Sequence, residues 1–264
     1  CKKKMMERKK IITGDGSVSL HVPTLNETYH SRHGALTEAQ YVYIQQGLAF
    51  WHQQTQASSV SVFEMGFGTG LNALLAAAYA EQQQLSIYYE TLEKYPLSPE
   101  ELSWMDYDQL LKGDTTTQIF HQIHQCSWEV TQAVSPFFEL LKKKMGVEEY
   151  ASKTLFDLIF YDAFGHHAQP ELWSTERIQK CYELLRPNGV WVSYCAKGSV
   201  RRSLQEVGFV VERLLEHPEK EKCFVRSKAK VVLLKKRHEI FNHRCHRIGG
   251  TRPHRSTLSR RAQL

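Results

Sequence analysis

Three glycines at alternate positions, Gly66, Gly68 and Gly70, stand between an apolar run, SVSVFEM, and an alanine-rich run, LNALLAAAYAEQQ. A buried strand that passes through bare backbone directly into a helix is the opening of a βα unit. At such a junction the free N–H groups and the dipole of the helix attract electron-rich ligand atoms. Glycines there let a ligand reach the backbone. The dinucleotide fingerprint G-x-G-x-x-G cradles a pyrophosphate. Here the third glycine comes one residue early and Leu71 takes the sixth place. The spacing therefore argues against a dinucleotide.

The rest of the chain repeats the pattern. SIYYETLE reads as a second strand, and SPEELSWMDYDQLLKG as a helix with Ser98 and Glu101 in a capping box. Residues 116–140 read as a short strand and helix. TLFDLIFYDAF is a strand running into Asp162, PELWSTERIQKCYELL a helix, VWVSYCA a strand, RRSLQEVG a short helix and FVVERLL a last strand. Repeated βα units imply an α/β, doubly wound parallel sheet with helices on both faces. Ahead of it, IITGDGSVSLHV reads as a β-hairpin, and Thr37 as the N-cap of a helix over YVYIQQGLAFW. The expected divisions are a disordered basic segment, 1–10; a hairpin and substrate-side cap, 11–59; the main domain, 60–215; and a disordered basic tail, 216–264.

The net charge of +6 is unevenly spread. Residues 218–264 hold 14 Lys+Arg against 3 Asp+Glu, and residues 1–217 hold 20 against 25. The basic balance belongs to the tail and is no argument that the folded part binds nucleic acid. The six cysteines, Cys1, Cys126, Cys181, Cys195, Cys223 and Cys245, form no C-x-x-C pair and fit a reduced, cytoplasmic setting. His238, His243, Cys245, His246 and His254 lack a finger-like partner pair, so no metal is expected. No apolar run approaches a membrane span, and the start, CKKKMMERKK, lacks the apolar stretch of a signal peptide. Met5 or Met6 reads as a native start.

The run Glu64-x-Gly66-x-Gly68-x-Gly70 resembles motif I of class I S-adenosylmethionine-dependent methyltransferases, a Rossmann-like fold. Glu93, at the tip of the second strand, is placed to accept hydrogen bonds from ribose hydroxyls. Asp162 ends the strand LFDLIFY, where ligands bind in a doubly wound sheet. An Asp before Ala163 and Phe164 resembles the motif with which amine methyltransferases aim a nitrogen lone pair at the transferred methyl.

Longer matches carry a closer resemblance: YHSRHGALTEAQYVY (29–43), EMGFGTGLNALL (64–75), LEKYPLSPEEL (92–102), YDAFGHHAQPELW (161–173) and LLRPNGVWVSYCAKGSVRRSLQEVGF (184–209). In order and content they resemble the bacterial tRNA 5-methylaminomethyl-2-thiouridine methyltransferases of the MnmC/MnmD type. That resemblance implies methylation of the primary amine of 5-aminomethyl-2-thiouridine at the tRNA wobble position. S-adenosyl-L-methionine would be the cofactor, and a separate oxidoreductase partner would prepare the substrate. It implies cofactor contacts from Glu64, Gly66, Phe67, Gly68, Thr69, Gly70, Asn72, Glu93, Lys94 and Asp162. It implies catalysis by Asp162 and Phe164, with Glu38 helping the amine lose a proton. Tyr29, Ser31 and Gly34 match the segment that closes the site, and Lys197, Arg201 and Arg202 the stretch expected to meet RNA phosphate. Two other readings fit the residues: methylation of a small-molecule or protein amine, and non-catalytic RNA binding on a decayed fold.

The resemblance stops near residue 215. The family carries a Gly-Lys-Arg-Glu-Met stretch there, and the codons of Pro218–Cys223, read one frame over, admit it. The expectation is a frame shift near Leu214–Glu216, an out-of-frame tail after it, and a sheet lacking its last strand.

Overall fold

The computed structural model of the protein describes residues 6–107, 111, 114–195, 197–213 and 232–236. Two sheets form within them. A three-stranded antiparallel sheet joins β1 (Lys9–Ile12), β2 (Val18–Val22) and β3 (Glu27–Thr28). The main sheet has eight strands in the order β10-β11-β9-β8-β4-β5-β7-β6. They are β4 (Ser59–Met65), β5 (Ser86–Leu92), β6 (Gln132–Ser135), β7 (Phe138–Lys143), β8 (Phe156–Tyr161), β9 (Leu185–Ser193), β10 (Phe209–Arg213) and β11 (Val232–Lys236). The pairs β7–β5, β5–β4, β4–β8 and β8–β9 are parallel, while β6 and β11 run antiparallel to their neighbours.

The chain winds outward from β4 through β5 to β7, then returns to build β8 and β9 on the other side of β4. The carboxyl ends of β4 and β8 therefore part at a topological switch point, which is where such sheets bind ligands. Helices Ala35–Ala39, Phe50–Thr55, Leu71–Gln83 and Asp114–Gln125 supply one face, around Leu48, Leu74, Ile123 and Phe160. Helices Thr175–Leu184 and Gly198–Val207 supply the other, around Phe63, Ile178, Trp191 and Leu204.

Several sequence expectations are corrected. Segment 1–10 is not wholly free: Lys9 and Lys10 begin β1, and the Arg8 side chain is only 5% exposed. Thr37 is not an N-cap. The helix starts three residues earlier, with Gly34 at its N-cap, and Thr37 gives both its N–H and its hydroxyl to Asp15 Oδ2 at 2.9 Å. The hairpin turn thus supplies the carboxylate that the helix start needs. Burial works against that carboxylate, but hydrogen bonds from Ser17 and Thr37 hold it at about 2. The helix continues as wide i→i+5 turns over Gln40–Ala49 before Phe50. Gly47 brings these turns onto the sheet: a Cβ there would stand 3.0 Å from Val192 Cγ1. Segment 11–59 is therefore packed into the same core as the main domain.

The expected helix after Ser98 is helical over Pro99–Leu102, and its capping box forms. Over 116–140 the order is helix then two strands, not strand then helix. The misleading residue is Lys142. Phe138, Leu140 and Lys142 alternate inward with period two, and Lys142 is buried because its Nζ donates to the carbonyls of Ile123, at 2.7 Å, and His124. The missing last strand is also corrected. Val232–Lys236 lies between β9 and β10, pairing Leu233 with Val192 and Leu234 with Trp191. The remaining expectations for the tail (disorder, zinc ligation, the frame shift) concern residues outside those described.

Candidate active site

The glycine loop adopts backbone conformations and makes close contacts that side chains would not tolerate. Gly66, Gly68 and Gly70 have φ of +97°, +53° and +75°, where an L side chain is strained. A Cβ on Gly66 would also stand 2.6 Å from the Asp162 carbonyl oxygen. The first glycine therefore holds the ends of β4 and β8 together, and the Asp162 N–H returns a hydrogen bond to the Met65 carbonyl at 3.0 Å.

Beyond these ends lies a cavity of about 420 Å³, well within the range of small-molecule sites. Its lining brings together Gly66, Phe67, Gly68, Thr69, Asn72, Glu93, Lys94, Asp162, Phe164 and Tyr29 from the sequence-derived set. Glu93 Oε2 accepts the Gly68 N–H at 2.9 Å and Oε1 the Tyr95 N–H at 2.7 Å. Its carboxylate thus ties the second strand tip to the loop and keeps lone pairs for a ligand. Lys94 pairs with Glu148 across the cavity wall.

Asp162 is the most strongly perturbed acid of the lining. Burial pushes it up to about 7, against two hydrogen bonds that favour its charged form. Tyr43 donates to Oδ1 at 2.7 Å, and Asn72 Nδ2 to Oδ2 at 2.8 Å. The next carbonyls are pinned as well. Tyr194 donates to the Ala163 oxygen and Trp173 Nε1 to the Phe164 oxygen, each at 2.8 Å. The Phe164 ring meets Tyr29 edge-on at 5.1 Å.

Other expected residues fall elsewhere. Glu64 is a correction: it is 0% exposed and lies outside the lining, with Oε2 accepting from Thr91 at 2.7 Å inside the sheet. Strand alternation turns it inward from the loop it precedes. Glu38 and Ser31 are outside the lining too, joined by the Ser31 N–H to Glu38 Oε2 bond of 3.0 Å. Glu38 still acts on Asp162 through space, raising its proton affinity. Gly34 closes the turn before the first helix. Lys197 contacts His166 at 3.3 Å, and Arg201 and Arg202 lie on the Gly198–Val207 helix away from the cavity.

Sequence reasoning missed Tyr43, His30, Arg177 and Arg8. His30 lines the cavity and is held neutral by burial, which lowers it to about 4. Arg177 lines it from the start of its helix. Arg8 braces Tyr29 of the lining from behind: Nε donates to the Tyr29 hydroxyl at 2.8 Å, and NH1 to both Glu101 oxygens at 3.1 Å. No group of three or more metal-ligating side chains occurs among the described residues.

Residues 118–229 match the family described as S-adenosyl-L-methionine-dependent methyltransferase. That match covers less than half of the chain. Its fold is shared with the crystal structure of MnmC2 from Aquifex aeolicus, at a TM-score of 0.64 and 22% identity, over 88% of this chain and 71% of that one. Two curated relatives carry the name tRNA 5-methylaminomethyl-2-thiouridine biosynthesis bifunctional protein MnmC. The one from Pseudomonas fluorescens is 30% identical over 205 residues, 71% of this chain and 30% of its own length. The one from Aeromonas salmonicida is 25% identical over 211 residues, 74% of this chain and 31% of its own length. The chain thus spans under a third of the length of these relatives.

The residues present fit the cofactor that this family uses. Gly66 and Gly68 line the cavity at the turn into the Leu71–Gln83 helix, where a ligand can approach backbone without meeting a side chain, and the Glu93 carboxylate stands beside them at the tip of β5.

Proposed function

We propose that this chain methylates the primary amine of 5-aminomethyl-2-thiouridine at the wobble position of tRNA. The observation that carries the reading is Asp162, a buried carboxylate at the switch point, on the cavity wall, with both oxygens already held by donors. The names of the relatives supply the nucleoside.

Bound in the cavity, S-adenosyl-L-methionine supplies an electrophilic methyl group. The chain's own residues do the rest. Gly66 and Gly68 would give the cofactor access to backbone, and Glu93 would take the ribose hydroxyls through its free lone pairs, while Gly70 lies outside the cavity lining. Asp162 and the pinned carbonyls of Ala163 and Phe164 accept hydrogen bonds from the target nitrogen and aim its lone pair, which is a large part of the catalysis of a displacement. An aminomethyl group is mostly protonated at neutral pH, and only the free base attacks. With a proton affinity near 7, Asp162 is matched to taking that proton. Phe164 and Tyr29 wall the reacting centre from water. Lys197, Arg201 and Arg202 remain candidates for RNA phosphate outside the cavity. A separate oxidoreductase partner prepares the aminomethyl substrate, and the setting is cytoplasmic.

Asp162→Ala tests the reading. Methyl transfer to tRNA lacking the modification should fall on the order of 10²-fold or more, with cofactor affinity changed by only a few fold. Near-normal turnover removes Asp162 from the reaction. Transfer to a small-molecule or protein amine, but none to tRNA, replaces the substrate.

A further inference from the structure

Behind Asp162 lies a second carboxyl, fully buried and only half hydrogen-bonded. Glu64 is fully buried, and its Oε2 accepts the Thr91 hydroxyl at 2.7 Å. Its Oε1 has no hydrogen-bond partner. Two neighbours are in the same position: Asn72 Oδ1 and the Tyr89 hydroxyl are buried and unpartnered. The Asn72 and Tyr89 side chains are each within hydrogen-bonding reach of Glu64. The groups facing Glu64 are Thr91 and Tyr89 from β5, Asn72 from the Leu71–Gln83 helix and Asp162, the residue after β8. None of them is a cation. The Asn72 amide nitrogen is given to Asp162, so its buried, unpartnered carbonyl oxygen lacks a donor, which an ionised Glu64 could not supply. An ionised Glu64 would also place a second buried negative charge beside Asp162, and neighbouring buried carboxylates do not both ionise readily.

We propose that Glu64 is a positioning residue: it holds a proton, donates it to Asn72 Oδ1, and thereby turns the Asn72 amide nitrogen toward Asp162 Oδ2. One proton then satisfies the arrangement. Glu64 Oε2 accepts from Thr91, Oε1 accepts from Tyr89 and donates to Asn72, and Asn72 Nδ2 donates to Asp162. An unsatisfied buried polar group is costly, so this chain selects one amide orientation out of two. Glu64 touches neither cofactor nor substrate, and acts through Asn72 on the acid that does. The role deepens the amine-methylation reading above and rests on it for the kinetic part of its test.

The spectroscopic part is independent of any substrate. Infrared spectra of the full chain near neutral pH should contain a protonated-carboxyl carbonyl band that survives in Asp162→Asn, where Asp162 can no longer contribute to it, and disappears in the double variant Asp162→Asn, Glu64→Gln. Absence of that band from Asp162→Asn overturns the proposal, and so does its persistence in the double variant. If the double variant does not fold, the Asp162→Asn spectrum still decides. In methyl transfer, Glu64→Val should lose at least tenfold in kcat with KM for the cofactor little changed. Glu64→Gln, which keeps a donor toward Asn72, should recover most of the loss. Equal impairment of the two variants overturns the positioning role. Absence of transfer to tRNA by the wild type, with the band present, refutes the substrate and not Glu64.

Discussion

Tyr43→Phe isolates the electrostatics of Asp162 without touching the cavity, because Tyr43 is buried outside its lining. The Tyr43 hydroxyl gives Asp162 Oδ1 a hydrogen bond of 2.7 Å, one of two that lower its proton affinity against burial. A hydrogen bond to a charged group is worth about 1.5–3 kcal/mol, and one pKa unit is about 1.4 kcal/mol. Removing the hydroxyl should therefore raise Asp162 by ~1–2 units, from about 7 to ~8–9. Activity that needs the ionised acid rises with pH through this value. The assay is kcat/KM for methyl transfer to unmodified tRNA across pH. The variant should be ~10-fold slower near neutral pH and approach the wild type at the alkaline plateau. A midpoint left where the wild type has it, or an equal loss at every pH, refutes the reasoning.

Glu93→Ala should weaken cofactor binding by about 1–3 kcal/mol in calorimetry, the loss of charge-assisted hydrogen bonds, while unchanged affinity places Glu93 outside the ribose contact. Gly66→Ala puts a Cβ 2.6 Å from the Asp162 oxygen at φ +97°. Strain of ~1–3 kcal/mol and a displaced Asp162 should appear as a lower Tm together with lost methyl transfer. Glu64 is raised by burial from 4.5 to about 8, so its contribution to stability is complete below 4.5 and is lost as pH rises through about 8. Glu64→Gln should flatten that fall, up to about 1.4 kcal/mol per pH unit, in denaturant titrations at several pH values. A slope equal to the wild type's would show Glu64 already ionised.

What was legible in the sequence was what lies close along the chain. The Gly66–Gly70 loop, Glu93 and Asp162 each sit at the end of an apolar run, and position at a strand end is a local property. The capping box at Ser98 is local too and formed as read. Tyr43 was not legible, because 119 residues separate it from Asp162 and a Tyr in an apolar helical run reads as core. Nor was the inward face of Glu64. An acidic residue two places before the first glycine looks like part of the loop, whereas the pleat turns it toward Thr91. Lys142 hid β7 for a related reason, since a lysine breaks an apolar pattern unless carbonyls such as those of Ile123 and His124 are waiting for it. The last strand was missed because VLLKK stands within a strongly basic stretch, and charge balance cannot see that its backbone pairs with β9 and β10.

Three carboxyls that a sequence shows as equals are divided by their surroundings into different chemistries. Glu93 is only partly covered and spends its oxygens on the N–H groups of Gly68 and Tyr95, which suits a charge that takes hydroxyl donors. Asp162 is buried on the cavity wall with two donors, so its proton affinity sits near 7, where it can either hold or release a proton. Glu64 lies deeper, with one hydroxyl donor assigned and no cation facing it, and its affinity rises to about 8. Between Asp162 and Glu64 the affinity rises inward, and burial raises it more than their hydrogen bonds lower it. The order matters for the reaction: a neutral Glu64 behind Asp162 leaves the negative charge to Asp162, the carboxyl that can reach an amine. A charged Glu64 would push that proton back onto Asp162 and leave the target nitrogen without its acceptor.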